Sequence, residues 1–333
     1  MSQASSWDSS RPVRRSSFAP VALGAALGLP GLIATYLHLK PPSDDATALL
    51  AAFIPYGIVA YAMSLCCFVV ATLVARHRPM LIMVVVGLAG LLGLHATWLA
   101  PLFVADHRPA TTGTFTLLTL NLYAGGADPA SLVQQAQQAD VIVLLEATPD
   151  ALSALHAAGL TRRLPYAVGA PQQGISNTAI YSRFPLTNAT LVQGTLFQQY
   201  VATVTVPGLG PVRLLAAHPC NPYCGDHRWA NDHAILRATA DANLTQPLIM
   251  AGDLNAVDDH GPMQALRRDG LESATDITGA GWLPTYPANK VLPPLLPIDH
   301  VLVNDRLTAT SIRTIEVPGT DHLGLVATLA GAG

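Results

Sequence analysis

The chain has 333 residues, half of them hydrophobic and only 12% charged, with a formal net charge of −3. An ordinary soluble domain carries about 25% charged residues, so this composition argues against a wholly soluble protein, and the lack of a basic excess argues against backbone-neutralising nucleic-acid binding. The length leaves room for one domain of about 200 residues and something more, since single cores stop growing near roughly 250–300 residues.

The apolar excess lies at the N-terminal end. No charged side chain occurs in 18–39, 46–75 or 79–105, and each run reaches the roughly 20 residues that cross the hydrocarbon core of a bilayer as a helix. We read three transmembrane helices there. Pro20, Pro30, Pro55 and Pro101 lie in or beside them, which is tolerable where neighbouring helices re-satisfy the freed carbonyls. The first run also fits a signal peptide, but two further spans favour a retained anchor. Arg11, Arg14 and Arg15 precede the first run and Arg76 and Arg78 separate the second from the third, while the first outer loop carries Lys40 against Asp44 and Asp45. This asymmetry puts 1–17 in the cytoplasm and, after three spans, everything beyond residue 105 outside it, in a multi-pass plasma-membrane protein. His95 reads as a helix-packing polar group. The polar stretch 106–114 reads as a linker to a domain over 115–333.

That domain alternates short strands and helices. Strands are expected over 115–120, 141–145, 178–182, 190–192, 200–206, 212–217, 248–251, 299–303 and 324–329, and helices over 129–138, 227–242 and 261–268. The continuous apolar run 141–145 fits a strand buried on both faces. Many strands with few helices between them give an α/β domain of two sheets packed face to face with helices outside.

Polar residues recur at the ends of these strands, in Leu120-Asn121-Leu122-Tyr123, Leu145-Glu146, Ala217-His218-Pro219, Gly252-Asp253-Leu254-Asn255 and the steps Asp299-His300 and Asp321-His322. Strand ends of a layered α/β protein converge on one rim, so these side chains would form a single oxygen-rich, imidazole-containing pocket for a hard divalent metal and a phosphate ester. Glu146 ends an apolar strand, where a carboxylate needs a cation or a salt bridge. Mg²⁺ takes one or two carboxylates with water and substrate oxygens, and Glu146 with Asn121 supplies a set of that kind. Taken alone, Asn121 is a turn-forming amide before Gly125 and Gly126, and Gly252–Asn255 is a simple turn. Alternation places Asp253 and Asn255 on one side of the chain, and His300 on the opposite side from Asp299 in a structural role. Arg183 serves either as a bidentate phosphate contact or as a structural ion pair. Cys220 and Cys224 are read first as a disulfide stiffening the backbone beside His218, with free thiols or a zinc pair as alternatives. The proline-rich insertion with Trp282, Tyr286 and Asn289 forms a lid or packs on the sheet.

In this order, Leu-Asn-Leu, Leu-Glu, Tyr-Ser-Arg-Phe-Pro-Leu, Ala-His-Pro, Gly-Asp-Leu-Asn, Ile-Asp-His-Val-Leu and Thr-Asp-His, the segment from Leu117 to Val326 resembles the endonuclease/exonuclease/phosphatase superfamily of metal-dependent phosphoesterases. Its anchor and compact domain resemble the actinobacterial membrane proteins associated with teicoplanin resistance. The resemblance implies a four-layer α/β/β/α sandwich preceded by three transmembrane helices. It implies Mg²⁺, or Mn²⁺ or another divalent cation, at Asn121 and Glu146, with Asp321 binding directly or through water. Asp253 would orient or deprotonate the attacking water, and Asn255 would contact the phosphate or a second metal. Asp299 would fix the tautomer of His322, whose imidazolium stabilises the pentacovalent phosphorus, and His218 would donate from the other side. Asn177 and Asn221 would contact the phosphate.

Charge separates the substrate classes. From residue 110 onward there are 11 lysines and arginines against 17 aspartates and glutamates, a net of −6, with no basic run interleaved with aromatics. Such a domain is poorly suited to holding nucleic acid, whereas a bilayer tether raises the local concentration of lipid head groups. The expected function is a membrane-anchored, Mg²⁺-dependent hydrolase of a lipid-linked phosphate, pyrophosphate or phosphodiester at the outer face of the bilayer, in cell-envelope metabolism or glycopeptide resistance. An extracellular nuclease and a non-catalytic membrane module of the same fold are the alternatives.

Overall fold

A computed structural model describes residues 17–75, 78–106 and 108–333. Arg11, Arg14, Arg15 and Arg76, which orient the spans in the sequence reading, lie outside the described residues. The described residues form two compact units, one from 17–36 with Pro55–Trp98, the other from Leu37–Ile54 with Leu99–Gly333.

The first unit is helical. Three segments, Phe18–Leu39, Asp45–Val74 and Pro79–Leu102, are long and apolar enough to cross a membrane. The helices are α1 (Phe18–Leu39), α3 (Gly57–Val74) and α4 (Pro79–Leu99), with α2 (Asp45–Ala51) a separate short helix before α3. Gly24, Gly28 and Gly31 face Phe68, Ser64 and Tyr61 closely, the small-residue approach by which helices pack where no hydrophobic force drives them together. His95 is buried and bonds Thr35 Oγ1 at 3.0 Å, as expected of a packing group. The run 46–75 is not one helix. Asp44 caps α2, accepting from Thr47 N at 3.0 Å, and a short 3₁₀ turn at Ile54–Tyr56 contains Pro55, which cannot donate into a continuing helix. The break hands 37–54 to the second unit.

The second unit contains β1 (Ala110–Asn121), α5 (Pro129–Ala136), β2 (Val141–Leu145), α6 (Pro149–Ala158), α7 (Leu160–Arg163), β3 (Tyr166–Val168), β4 (Thr178–Ser182), β5 (Leu186–Leu191), β6 (Tyr200–Val206) and β7 (Gly210–Ala217). There follow α8 (Arg228–Asp241), β8 (Leu248–Asp253), α9 (Gly261–Arg268), β9 (Glu272–Ser273), α10 (Ala274–Thr278), β10 (Asp299–Val303), β11 (Leu307–Ile315) and β12 (Gly324–Ala332). One sheet runs β11-β12-β1-β2-β4-β3 and the other β5-β6-β7-β8-β10-β9, each with a parallel pair at its centre. Strand alternation divides the apolar residues between two faces. Val141, Val143, Leu145, Ile249 and Ala251 enter the core between the sheets. Ile142 and Leu144 pack under α5 to α7, and Leu248 and Met250 pack under α8 and α9. This is the four-layer α/β/β/α sandwich.

Ala110–Thr114 belong to β1, with Ala110 opposite Ala332, so most of the expected linker is strand. The strands β3, β9 and β11 and the helices α6, α7 and α10 are additional to the sequence expectation. The parallel pairing of β7 with β8 sets Ala217 beside Gly252. Gly252 has φ 150°, and a Cβ there would lie 1.9 Å from the Ala217 carbonyl oxygen, so only glycine lets the two backbones approach at the site rim.

Candidate active site

The C-terminal ends of β1, β2, β7 and β8 meet the start of β10 and the turn before β12 on one rim. Asn121 lies opposite Leu145, next to Glu146, in the first sheet, and Asp253 lies opposite Asp299 in the second. The sandwich therefore brings Asn121, Glu146, His218, Asp253, Asn255, Asp321 and His322 to a single cavity of about 570 Å³. Tyr123, Glu146 and Asn255 all adopt positive φ (52°, 53° and 47°); left-handed backbone at non-glycine residues is strained, and such residues cluster at functional sites.

Asp253 is the hub. Its Oδ1 accepts from Asn255 N at 2.9 Å and its Oδ2 from Asn121 Nδ2 at 3.0 Å. The same Oδ2 lies 3.7 Å from His322 Nε2 and 3.8 Å from His218 Nε2. On its other side His322 bonds Asp299 Oδ2 through Nδ1 at 2.8 Å, so the imidazole stands between two carboxylates that face each other across adjacent strands. Burial opposes a charge on His322, but Asp299 and Asp253 outweigh it and hold the ring up to about 10. Its Nε2–H has only long contacts, 3.7 Å to Asp253 and 3.9 Å to Asp321, and stays available to a phosphate oxygen. Thr320 Oγ1 donates to the Asn121 carbonyl at 2.6 Å and accepts from His322 N at 3.1 Å, tying the Asp321-His322 turn to the end of β1.

His218 behaves in the opposite way. Complete burial, with the nearby charge of His322, drives its ring down to about 4 against the pull of Asp253, so it is neutral at pH 7. Its backbone N–H is held by Gln199 Oε1 at 2.9 Å, its ring packs on Phe197, and its buried Nδ1 has no protein partner. The disulfide Cys220–Cys224 closes the following loop, and the buried Asp232 carboxylate accepts from Cys220 N and Leu196 N.

Glu146 accepts from Ala124 N at 2.7 Å and Asn121 Nδ2 at 3.2 Å. Burial raises it, and burial likewise raises Asp253 and Asp321. Glu146, Asp253, Asp299 and Asp321 thus share one region with a single compensating imidazolium, and Asp299 Oδ1 is buried without a partner. An excess of hard oxygen donors short of positive charge fits a divalent cation. Among the described residues Asp253, Asp299 and His322 form a group that could hold a metal ion, their ligand atoms within 4.8 Å of one another. There the His322–Asp299 bond already employs Nδ1 and one oxygen, whereas Glu146 and Asp321 line the cavity and the Asn121 amide turns Nδ2, not its oxygen, to Glu146 and Asp253. That amide oxygen accepts Tyr123 N at 2.9 Å and keeps one lone pair.

Two expected contacts, those of Arg183 and Asn177, resolve differently. Arg183 is not at this site: β4 runs antiparallel to β2, so the residue after Ser182 lies at the far end, where Arg183 pairs with Asp140 at 3.0 Å. Asn177 is buried and spends its amide on its own loop, accepting from Gln172 N at 2.8 Å and donating to Gln172 O and Gly174 O. Asn221 lines the cavity and accepts from Tyr223 N at 3.0 Å, while one Asn255 amide hydrogen is held by Pro219 O at 3.0 Å. His300 turns away and bonds Ala256 O at 2.7 Å. Sequence reasoning missed Gln199 and Phe197, and did not single out Tyr286, whose ring lies 4.9 Å from that of His322, as a site residue. It also missed Leu49 and Phe53, cavity-lining residues that a hydropathy reading assigns to the membrane.

Residues 118–322, more than half of the chain, match the Endonuclease/Exonuclease/phosphatase family. The chain belongs to that family, whose members are typically metal-dependent hydrolases of phosphoester bonds. No curated protein matches it. Among solved structures it is similar to the endonuclease/exonuclease/phosphatase from Bacteroides vulgatus, at 13% identity and TM-score 0.55 over 66% of this chain and 99% of that one. It is also similar to the mannosyl-6-phosphatase Bt3783 of Bacteroides thetaiotaomicron, at 14% identity and TM-score 0.51 over 65% and 99%. A third is D. rerio TDP2 complexed with single strand DNA product, at 17% identity and TM-score 0.52 over 65% and 99%. At these identities the likeness is one of fold.

Proposed function

We propose that this family member is a membrane-anchored, divalent-cation-dependent phosphoesterase, with Mg²⁺ as the expected ion, that hydrolyses a lipid-linked phosphate, pyrophosphate or phosphodiester at the outer face of the plasma membrane. The observation that carries the chemistry is the His322 imidazole held between Asp299 and Asp253 in a cavity with Glu146 and Asp321. The three apolar helices and the acidic balance of the second unit support a lipid over a nucleic acid. The resemblance to teicoplanin-resistance membrane proteins supports an envelope substrate.

In this reading Glu146, Asp321 and Asn121 would hold the ion, which when bound supplies Lewis-acid stabilisation of charge on the phosphate oxygens. Asp253 accepts a proton from the attacking water, with Asn121 and Asn255 N–H fixing its two oxygens. His322 donates its Nε2–H to a non-bridging oxygen as negative charge builds, and Asp299 keeps that ring charged and in register. Neutral His218 offers a single N–H from the opposite side.

The test uses full-length protein in detergent with polyprenyl pyrophosphate, a sphingomyelin-type diester and plasmid DNA, each in Mg²⁺ or EDTA, and His322→Ala as control. The expected result is lipid turnover that requires Mg²⁺, exceeds DNA nicking and disappears in His322→Ala. DNA cleavage without lipid turnover would replace the assignment with a nuclease, and turnover that survives EDTA would remove the metal from it.

A further inference from the structure

The cavity has two chemically distinct ends. One holds the carboxylates and imidazoles described above. The other is apolar, and part of it comes from outside the family-matched segment: Leu49, Ala52 and Phe53, from the stretch that joins α1 to α3, line it together with Leu296 and Ile298 of the insertion before β10.

This stretch is built into the second unit by specific contacts. Ala48 and Ala51 are fully buried, and Ala48 packs in the same core as Trp229, Leu254 and Met263. His260 accepts from Val257 N through Nδ1 at 3.0 Å, which fixes the proton on Nε2, and Nε2 donates to the Ala48 carbonyl at 2.9 Å. Gly261 N donates to Pro42 O at 2.9 Å, and a Cβ at Gly261 would lie 2.4 Å from Ser43 Oγ, so glycine permits this close approach. His38 Nδ1 bonds Asp259 at 2.5 Å. A stretch held this firmly nevertheless leaves Phe53, a cavity-lining residue, 50% exposed, which puts apolar surface beside the polar residues of the site.

We infer that 45–53 is a substrate-recognition element, whose Leu49 and Phe53 receive the hydrocarbon chain of a phosphate ester while its phosphate lies beside Asp253 and His322. Three observations select a lipid chain as the occupant. The apolar wall is continuous with the phosphate-handling residues in one cavity. Part of the wall is supplied by the start of Asp45–Val74, a segment apolar enough to cross a membrane. The insertion that completes the wall also presents exposed Val291 and Leu292, apolar side chains that a bilayer surface accommodates and water does not. The inference rests on the proposed phosphoesterase reading and adds to it the part of the chain that selects the substrate.

The test presents phosphate, diphosphate and a phosphodiester head group, each on a dodecyl chain and on an ethyl group, to the full-length protein in nanodiscs. For the head group that turns over, kcat/KM for the dodecyl ester exceeds that for the ethyl ester by at least about tenfold, the effect of burying one large apolar group. Phe53→Asn combined with Leu49→Asn lowers this ratio about tenfold or more, mainly through KM of the dodecyl ester, whereas Phe53→Leu keeps it within about threefold. Equal losses on both esters would show a merely structural wall and overturn the inference, as would a chain preference that survives the double substitution. Turnover with no chain preference in the wild type would likewise overturn the inference, whereas no turnover of any head group would overturn the underlying phosphoesterase reading.

Discussion

Replacing Asp253 with Asn lowers kcat by about 10³-fold or more, with little change in KM, at saturating Mg²⁺. General-base assistance contributes about 10²–10⁴-fold where the base sits within reach of the proton it takes, and Asp253 also sets the charge of His322. The substitution cannot be neutral even as a hydrogen-bond exchange. Both oxygens of Asp253 accept, from Asn255 N and from Asn121 Nδ2, so an amide NH₂ at either position faces another donor. Steady-state kinetics with a thermal melt beside them separates this loss from unfolding, because a variant that keeps the wild-type midpoint and loses kcat has lost chemistry. Retention of more than about a tenth of wild-type kcat would take the general-base role away from Asp253.

Asp299→Asn has the second-largest effect, and it is read in pH. In the wild type, carboxylates on both sides hold His322 up to about 10 against burial. With Asp299 neutral, one of the two main attractions is gone and the ring falls toward its ordinary value, so the alkaline limb of kcat moves down and activity at pH 8 drops by about 10²-fold. The same shift appears in stability, measured in EDTA. His322 has a folded value above its unfolded 6.5, so its contribution is fully present below about pH 6.5 and is lost as pH rises through about 10. The wild-type melting temperature therefore declines across that window, and in Asp299→Asn the decline is shallower and ends at lower pH. A wild-type alkaline limb unmoved by the substitution would show that His322 is not the group titrating.

The candidate site was legible because its residues sit at strand ends, where polar side chains break apolar runs. Asp253 and Glu146 stand out for that reason, and the sandwich brings them together once both parallel pairs form. Arg183 was not legible. Its placement depends on β4 running antiparallel to β2, and nothing in Tyr-Ser-Arg-Phe-Pro states a strand's direction. Asn177 looked like a donor in a glycine-containing loop, but a buried amide satisfies the backbone nearest to it first. The helix α6 did carry local signals, a Thr148 cap with Pro149 behind it and Gly159 at φ 103°, which an apolar-run reading passes over. In β11 a bulge between Ala309 and Ser311 shifts the alternation and hides the strand. The segment 46–75 shows the limit of hydropathy most clearly. Pro55 marks the break within it, but that Ala48 belongs to the core under α8 and α9 is a long-range fact carried by Trp229, His260 and Met263.

The most direct measurement follows isotope from water. Full-length protein in detergent, with Mg²⁺ and farnesyl diphosphate in ¹⁸O-enriched water, should place one solvent oxygen in a phosphorus-containing product (phosphate, diphosphate or farnesyl phosphate), and that turnover should stop on addition of EDTA and in Asp253→Asn. Label in the released alcohol, or equal release in EDTA, would contradict a metal-dependent attack of water on phosphorus.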